Sequence, residues 1–153
     1  MGASLDGIKA VFLDLDGTIY LGGNLIPGAL EFLHRCDEQG VQRFFLSNNS
    51  SRSVTQYVKK LEGMGIPATA DDVLLSTHDC LAWLKKNNIT KTYCVGTEGM
   101  CKMLEAEGIA TRSLKPQYVV LGYDTETTYE KLETASLHLH AGVPLMASHP
   151  DMV

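Results

Sequence analysis

The chain has 153 residues, 44% of them hydrophobic and 20% charged, with a formal net charge of −5. That composition is globular rather than disordered, and the length suffices for one ordinary domain or two incomplete ones. The acidic balance argues against a nucleic-acid partner, which would meet a basic face. No apolar run approaches the roughly 18 residues that span a bilayer, so no membrane partner is expected either.

The start of the chain has no basic stretch followed by a long apolar core, as a secretory signal would have. Asp6 stands where a myristoylated Met1-Gly2 start requires Ser or Thr, and the cytoplasm is the expected compartment. Cys36, Cys80, Cys94 and Cys101 are scattered without a C-x-x-C pair. They read as small hydrophobes, not as a zinc site or a disulfide framework.

The first element is an apolar run over residues 10–13, read as a strand buried on both faces. It stops at Asp14, and Asp16 follows two residues later, with Gly17 and Thr18 directly behind. Asp-Gly is a common turn pair, so spacing alone is compatible with a simple turn. Asp14 comes straight off the apolar run, however, and the end of a buried strand is a costly place for an unpaired charge. Two crowded carboxylates also repel, and a hard, oxygen-seeking ion such as Mg2+ would relieve the conflict. The pair therefore reads as a carboxylate nucleophile, Asp14, beside a carboxyl acid/base, Asp16.

Residues 21–24 read as a flexible turn, and a helix is predicted from Pro27 with Leu30, Leu33 and Cys36 on one face and Gly40 as its stop. A second strand over 41–46 runs into Ser47-Asn48-Asn49-Ser50-Ser51. A helix over 53–62 then puts Val54, Tyr57, Val58 and Leu61 on one stripe. Lys59 and Lys60 on that helix are expected on a solvated face. Strand, helix, strand, helix is the order of parallel α/β units, which brings residues 47–51 to the same sheet edge as Asp14 and Asp16. Small hydroxyl and amide side chains there suit a phosphate dianion, although Ser and Asn also cap helices.

From residue 71 the pattern begins again, with strands over 73–76, 92–95, 118–121 and 143–147 and helices over 77–86 and 98–107. A last helix begins at Thr128, with Leu132, Ala135 and Leu139 facing inward. Tyr123, Asp124 and His149 each follow a predicted strand end, where loops can reach a site.

Asp14-Leu15-Asp16-Gly17-Thr18 after a hydrophobic strand resembles the first motif of the haloacid dehalogenase superfamily of phosphatases and phosphotransferases. The run from Phe44 to Arg52, FFLSNNSSR, resembles its second motif, and Asn48-Asn49 resembles the pair found in the nitrophenylphosphatase-like, nucleotide-monophosphatase branch. The segments GYDTETTYEKL and ASHPD resemble parts of the large cap of that branch.

The resemblance implies an α/β protein, with residues 1–72 as the N-terminal part of a Rossmann-like parallel-sheet core and 73–153 as an α/β cap. It implies Asp14 as the nucleophile of an aspartyl-phosphate mechanism, and Asp16 as acid and then base. Ser47, Asn48, Asn49, Gly17 and Thr18 would lie around the phosphate, and Mg2+ would be held by the Asp14 carboxylate and the Asp16 main-chain carbonyl. Tyr123, Asp124 and His149 would be cap contacts that choose a small phosphorylated metabolite, and the cap would be able to form a homodimer. The family also uses a lysine and a late acidic segment that these 153 residues lack, so a longer phosphatase is expected. The competing expectations are a non-catalytic binding module of the same fold, and a phosphotransferase or mutase.

Overall fold

The element order follows the predicted alternation in a computed structural model that describes residues 5–150. Met1-Gly2 and Asp151, on which the myristoylation and ASHPD readings touch, lie outside the described residues. The strands are β1 Ala10–Asp14, β2 Tyr20–Leu21, β3 Asn24–Leu25, β4 Gln42–Ser47, β5 Val73–Leu75, β6 Thr92–Val95, β7 Tyr118–Leu121 and β8 Leu145–Ala147. The helices are α1 Ala29–Glu38, α2 Val54–Gly63, α3 Ser76–Lys86, α4 Glu98–Ala106 and α5 Tyr129–His140. Two compact units result: one runs to Ser47 and resumes over Val54–Leu74, the other takes Asn48–Ser53 and the chain from Leu75 onward.

In the first unit β1 pairs parallel with β4, from Ala10 opposite Gln42 to Asp14 opposite Leu46, in a sheet ordered β1-β4-β5. Val11 of β1 and Phe32 of α1 both pack against the buried cluster of Leu5, Cys36 and Val41. The opposite face of β1 is open, contrary to the expected burial on both sides. Phe12 is 61% exposed and stacks on Phe44 with ring centroids 5.1 Å apart. Among the described residues this sheet has three strands with β1 at its edge, and α1 covers only one side of it. Helix α1 begins at Ala29 and not at Pro27, because Gly28 takes a left-handed φ of 88° at the N-cap. The turn expected over 21–24 is the tip of an antiparallel hairpin, with Tyr20 opposite Leu25 and Leu21 opposite Asn24.

The five α-helices of the described residues end alike. The amide of Val41 bonds the Cys36 carbonyl at 2.8 Å across Gly40, and the same six-residue closure recurs at Ile66, Ile89, Ile109 and Val143. Each closure turns the chain through a left-handed residue and returns an apolar side chain toward the core. In α3 that residue is Asn88, with φ 57°.

In the second unit β6, β7 and β8 form a parallel sheet in that order. Cys94 and Val120 face α3 and α4, where Leu81, Leu84, Met100 and Leu104 fill the core. Tyr93, Val95 and Val119 face α5 around Ala135. Every residue of β6 is buried, as a strand with helices on both faces should be. Leu132 and Leu139, expected inside, are 50% and 37% exposed. A three-stranded sheet provides apolar cover under Ala135 and too little for the leucines on its flanks.

Candidate active site

The loop after β1 is built around Leu15. Its side chain is fully buried, and its carbonyl accepts the amides of Thr18, Ile19 and Tyr20 at 3.3, 3.0 and 3.2 Å. The Gly17 amide closes the loop on the Tyr20 carbonyl at 2.7 Å, with a φ of 89° that suits glycine. With Leu15, Ile19 and Tyr20 inside, Asp14, Asp16, Gly17 and Thr18 all point outward and are exposed. Asp14 therefore sits at the expected strand end, but it is exposed there. The expectation of a buried charge at that position fails, because the open face of β1 continues to its last residue.

Ser47 ends β4, one residue beyond Leu46, the partner of Asp14. The parallel pairing thus brings Asp14 and Ser47 to the same edge, as expected. The Ser47 hydroxyl is buried and lies 2.9 Å from the Tyr57 hydroxyl on α2. Lys60, expected in solvent, lays its ammonium 3.5 Å from the centroid of the buried Tyr20 ring and 4.0 Å from an Asp16 carboxylate oxygen. Its position three residues after Tyr57, beside the apolar stripe, was the sequence signal for this placement.

The polar run beyond Ser47 belongs to the second unit, and much of its polarity is used to hold its own shape. Asn49 Oδ1 accepts the Ser51 amide at 2.9 Å, an Asx turn. Ser76 donates to the carbonyl of Asn48, whose side chain is exposed, at 2.9 Å. Ser50 is fully buried; its Oγ accepts the Tyr123 amide at 2.8 Å and pairs with Ser148 Oγ at 3.0 Å. Thr97 Oγ1 donates to the Ser51 carbonyl at 3.0 Å. Thr97, Tyr123 and Ser148 follow the carboxyl ends of β6, β7 and β8. That edge, where open parallel sheets take their ligands, is thus occupied in this unit by the chain's own Ser50 and Ser51.

The three cap candidates lie at this same edge and fare differently. Tyr123 is 52% exposed and His149 half-buried. The Asp124 side chain is only 2% exposed, with Oδ2 2.9 Å from Lys131 Nζ and Oδ1 accepting the Glu126 amide at 2.9 Å. Lys131 also donates to the carbonyls of Gly96 and Glu126 at 3.1 and 3.0 Å. Both Asp124 oxygens are engaged, so this carboxylate holds its own loop and is not an open substrate contact.

The donor chemistry of the first loop suits Mg2+. Asp14 and Asp16 offer exposed, hard oxygen ligands, and Mg2+ commonly takes one or two carboxylates and keeps several waters. No group of three or more His, Cys, Asp or Glu side chains forms a metal cage among the described residues. No helix among them is long and apolar enough to cross a membrane.

The sequence profile described as haloacid dehalogenase-like hydrolase matches residues 11–110, and the chain belongs to that family. It is 34% identical to the acid sugar phosphatase of Staphylococcus saprophyticus over 94% of this chain and 56% of that one. It is 33% identical to the 5'-nucleotidase YutF of Bacillus subtilis, over 94% of this chain and 57% of that one. The chain thus spans little more than half the length of these relatives. Among solved structures, the 4-nitrophenylphosphatase of Thermotoga maritima is similar with a TM-score of 0.90 and 38% identity, covering 97% of this chain and 57% of that one. A glycerol phosphate phosphatase of Mycobacterium tuberculosis, solved in complex with magnesium, has a TM-score of 0.86 and 28% identity over 94% of this chain and 44% of that one. The α/β class with parallel sheets, the family and its nitrophenylphosphatase-like branch are those expected from the motifs at Asp14 and Ser47.

Proposed function

We propose that the protein is a phosphomonoesterase acting through an aspartyl-phosphate on a small phosphate ester. The observation that carries this reading is the parallel register of β1 and β4, which sets Asp14 one residue from the level of Ser47 on a shared carboxyl edge. The relatives' names supply the substrate class: sugar phosphates, nucleoside monophosphates, nitrophenyl phosphate and glycerol phosphate.

In this mechanism the Asp14 carboxylate attacks phosphorus as the bond to the ester oxygen breaks, and Asp16 gives its proton to the departing alcohol. Asp16 then takes a proton from water, which attacks the phosphorus and releases inorganic phosphate from Asp14. The amides around Gly17 and Thr18, with Ser47, Asn48 and Asn49, would orient the phosphoryl oxygens. Mg2+ held by the Asp14 carboxylate and the Asp16 main-chain carbonyl would neutralise the charge that nucleophile and phosphate bring together. Residues 1–72 would act as part of the catalytic core and 73–153 as a cap, with Tyr123 and His149 sorting leaving groups. A cytoplasmic enzyme working on a metabolite, without nucleic acid or membrane, agrees with the acidic charge. A homodimer through the cap belongs to the same proposal.

Turnover of p-nitrophenyl phosphate with and without Mg2+ tests it. Activity that requires Mg2+ and falls by at least about a thousandfold in Asp14→Asn is expected. Activity retained in Asp14→Asn would refute the mechanism, and a folded protein with no turnover of any phosphate ester would favour the non-catalytic module.

A further inference from the structure

Helix α2 reaches both polar ends of the candidate site, and every residue concerned lies in the first unit. Tyr57 and Lys60 are three residues apart on this helix, which puts them on one face. Tyr57 is buried, and its hydroxyl lies 2.9 Å from Ser47 Oγ. Lys60 sets its ammonium 3.5 Å from the Tyr20 ring centroid and 4.0 Å from Asp16 Oδ1. The neighbouring Lys59 is exposed.

The lysine is the anchored member of its pair. Tyr20 is fully buried; its carbonyl accepts the Gly17 amide at 2.7 Å and its amide bonds the Leu15 carbonyl at 3.2 Å. The ring is therefore fixed to the same loop that carries Asp16, and the ring face holds the ammonium. The Lys60 side chain is 19% exposed against 54% for that of Asp16. The cation stays in place, and the carboxylate is the group with room to turn. At the other end, a serine hydroxyl has one proton and two acceptor positions, so a neighbouring hydroxyl decides where that proton points.

We propose that this face of α2 positions the site, with Lys60 orienting the Asp16 carboxyl and Tyr57 orienting the Ser47 hydroxyl. The inference rests on the phosphomonoesterase reading and adds two positioning residues to it. Lys60 tethers Oδ1 by its charge, and Oδ2 is left to exchange protons with the departing alcohol and with water. Tyr57 donates to Ser47 Oγ, and the serine turns its own proton to a phosphoryl oxygen. The first contact serves proton transfer and the second serves phosphate binding, so the loss of each leaves a different kinetic mark. Asp16 is half exposed, and a solvated pair of this kind is weak, so the effect of Lys60 is several-fold and not larger.

The test compares kcat/KM, with Mg2+, for two esters: glycerol phosphate, whose alkoxide leaves only with a proton, and p-nitrophenyl phosphate, whose leaving group needs none. Lys60→Met is expected to lower the glycerol phosphate value about fivefold and the nitrophenyl phosphate value less than about twofold. Lys60→Arg keeps a cation over the ring and should return the first value to within about twofold of wild type. Tyr57→Phe is expected to lower both values alike, by about fivefold, and to weaken inhibition by inorganic phosphate to the same extent. Equal losses for the two esters in Lys60→Met, or no loss, overturn the role of Lys60. Unchanged phosphate inhibition in Tyr57→Phe overturns that of Tyr57, and should Tyr57→Phe not fold, the Lys60 variants decide. A wild-type chain that turns over neither ester overturns the inference together with the phosphatase reading, whereas an active wild type whose variants do not separate the esters overturns the inference alone.

Discussion

Lys60 holds its ammonium 3.5 Å from the centroid of the Tyr20 ring, directly under the loop that carries the two acids. Tyr20 is fully buried, so a ring face and a lysine stem cover each other at the base of the site. Lys60→Met keeps the stem and removes the charge. It is expected to lower stability by about 1 kcal/mol, the size of a partly desolvated cation–π contact, as read from the urea midpoint. No change in the midpoint would show that the stem alone matters.

Ser50 gives a second prediction. Its buried hydroxyl serves the Tyr123 amide and Ser148 together. Ser50→Ala strands a donor and is expected to cost about 1–3 kcal/mol. Hydrogen exchange at the Tyr123 amide should accelerate accordingly, and unchanged protection there would contradict the assignment.

The ion pair of Asp124 and Lys131 is closed from solvent on the acid side and shielded on the lysine side. Asp124→Ala leaves a half-buried ammonium without its partner and is expected to cost about 3 kcal/mol. The double change Asp124→Leu with Lys131→Met should cost less than the sum of the single changes, measured as a double-mutant cycle in urea.

His78 makes stability depend on pH. Its Nδ1 accepts the Leu75 amide at 3.0 Å, and burial holds its pKa below the ordinary 6.5. Between the folded pKa and 6.5 the unfolded chain binds a proton that the folded chain does not, so stability rises with pH across that window. The contribution is complete above the unfolded value and is lost as pH falls through the folded one. Urea midpoints at about pH 5 and about pH 7.5 should differ, and His78→Gln should reduce the difference.

What could be read in the sequence depended on whether the partners were near in the chain. Residues 92–95 and 118–121 were legible as strands because continuous apolar runs mark strands covered on both faces. Asp14 and Ser47 could be placed at one edge because strand–helix–strand order dictates parallel pairing. The role of Ser50 was hidden for a different reason. Ser50 meets partners 73 and 98 residues away, and a run of small polar residues looks the same whether it binds a phosphate or ties down a loop. Leu132 and Leu139 matched the helical period, but periodicity says nothing about the width of the sheet below.

The central claim is that Asp14 accepts the phosphoryl group. Asp16→Asn retains that nucleophile and removes the base that activates water, so reaction with p-nitrophenyl phosphate and Mg2+ should release nitrophenol in a burst and leave the enzyme phosphorylated. Rapid acid quench followed by peptide mass mapping should find the phosphoryl group on Asp14 and on no other residue. A burst with the phosphoryl group on a different side chain, or steady turnover with no phosphoenzyme at any time, would contradict the account.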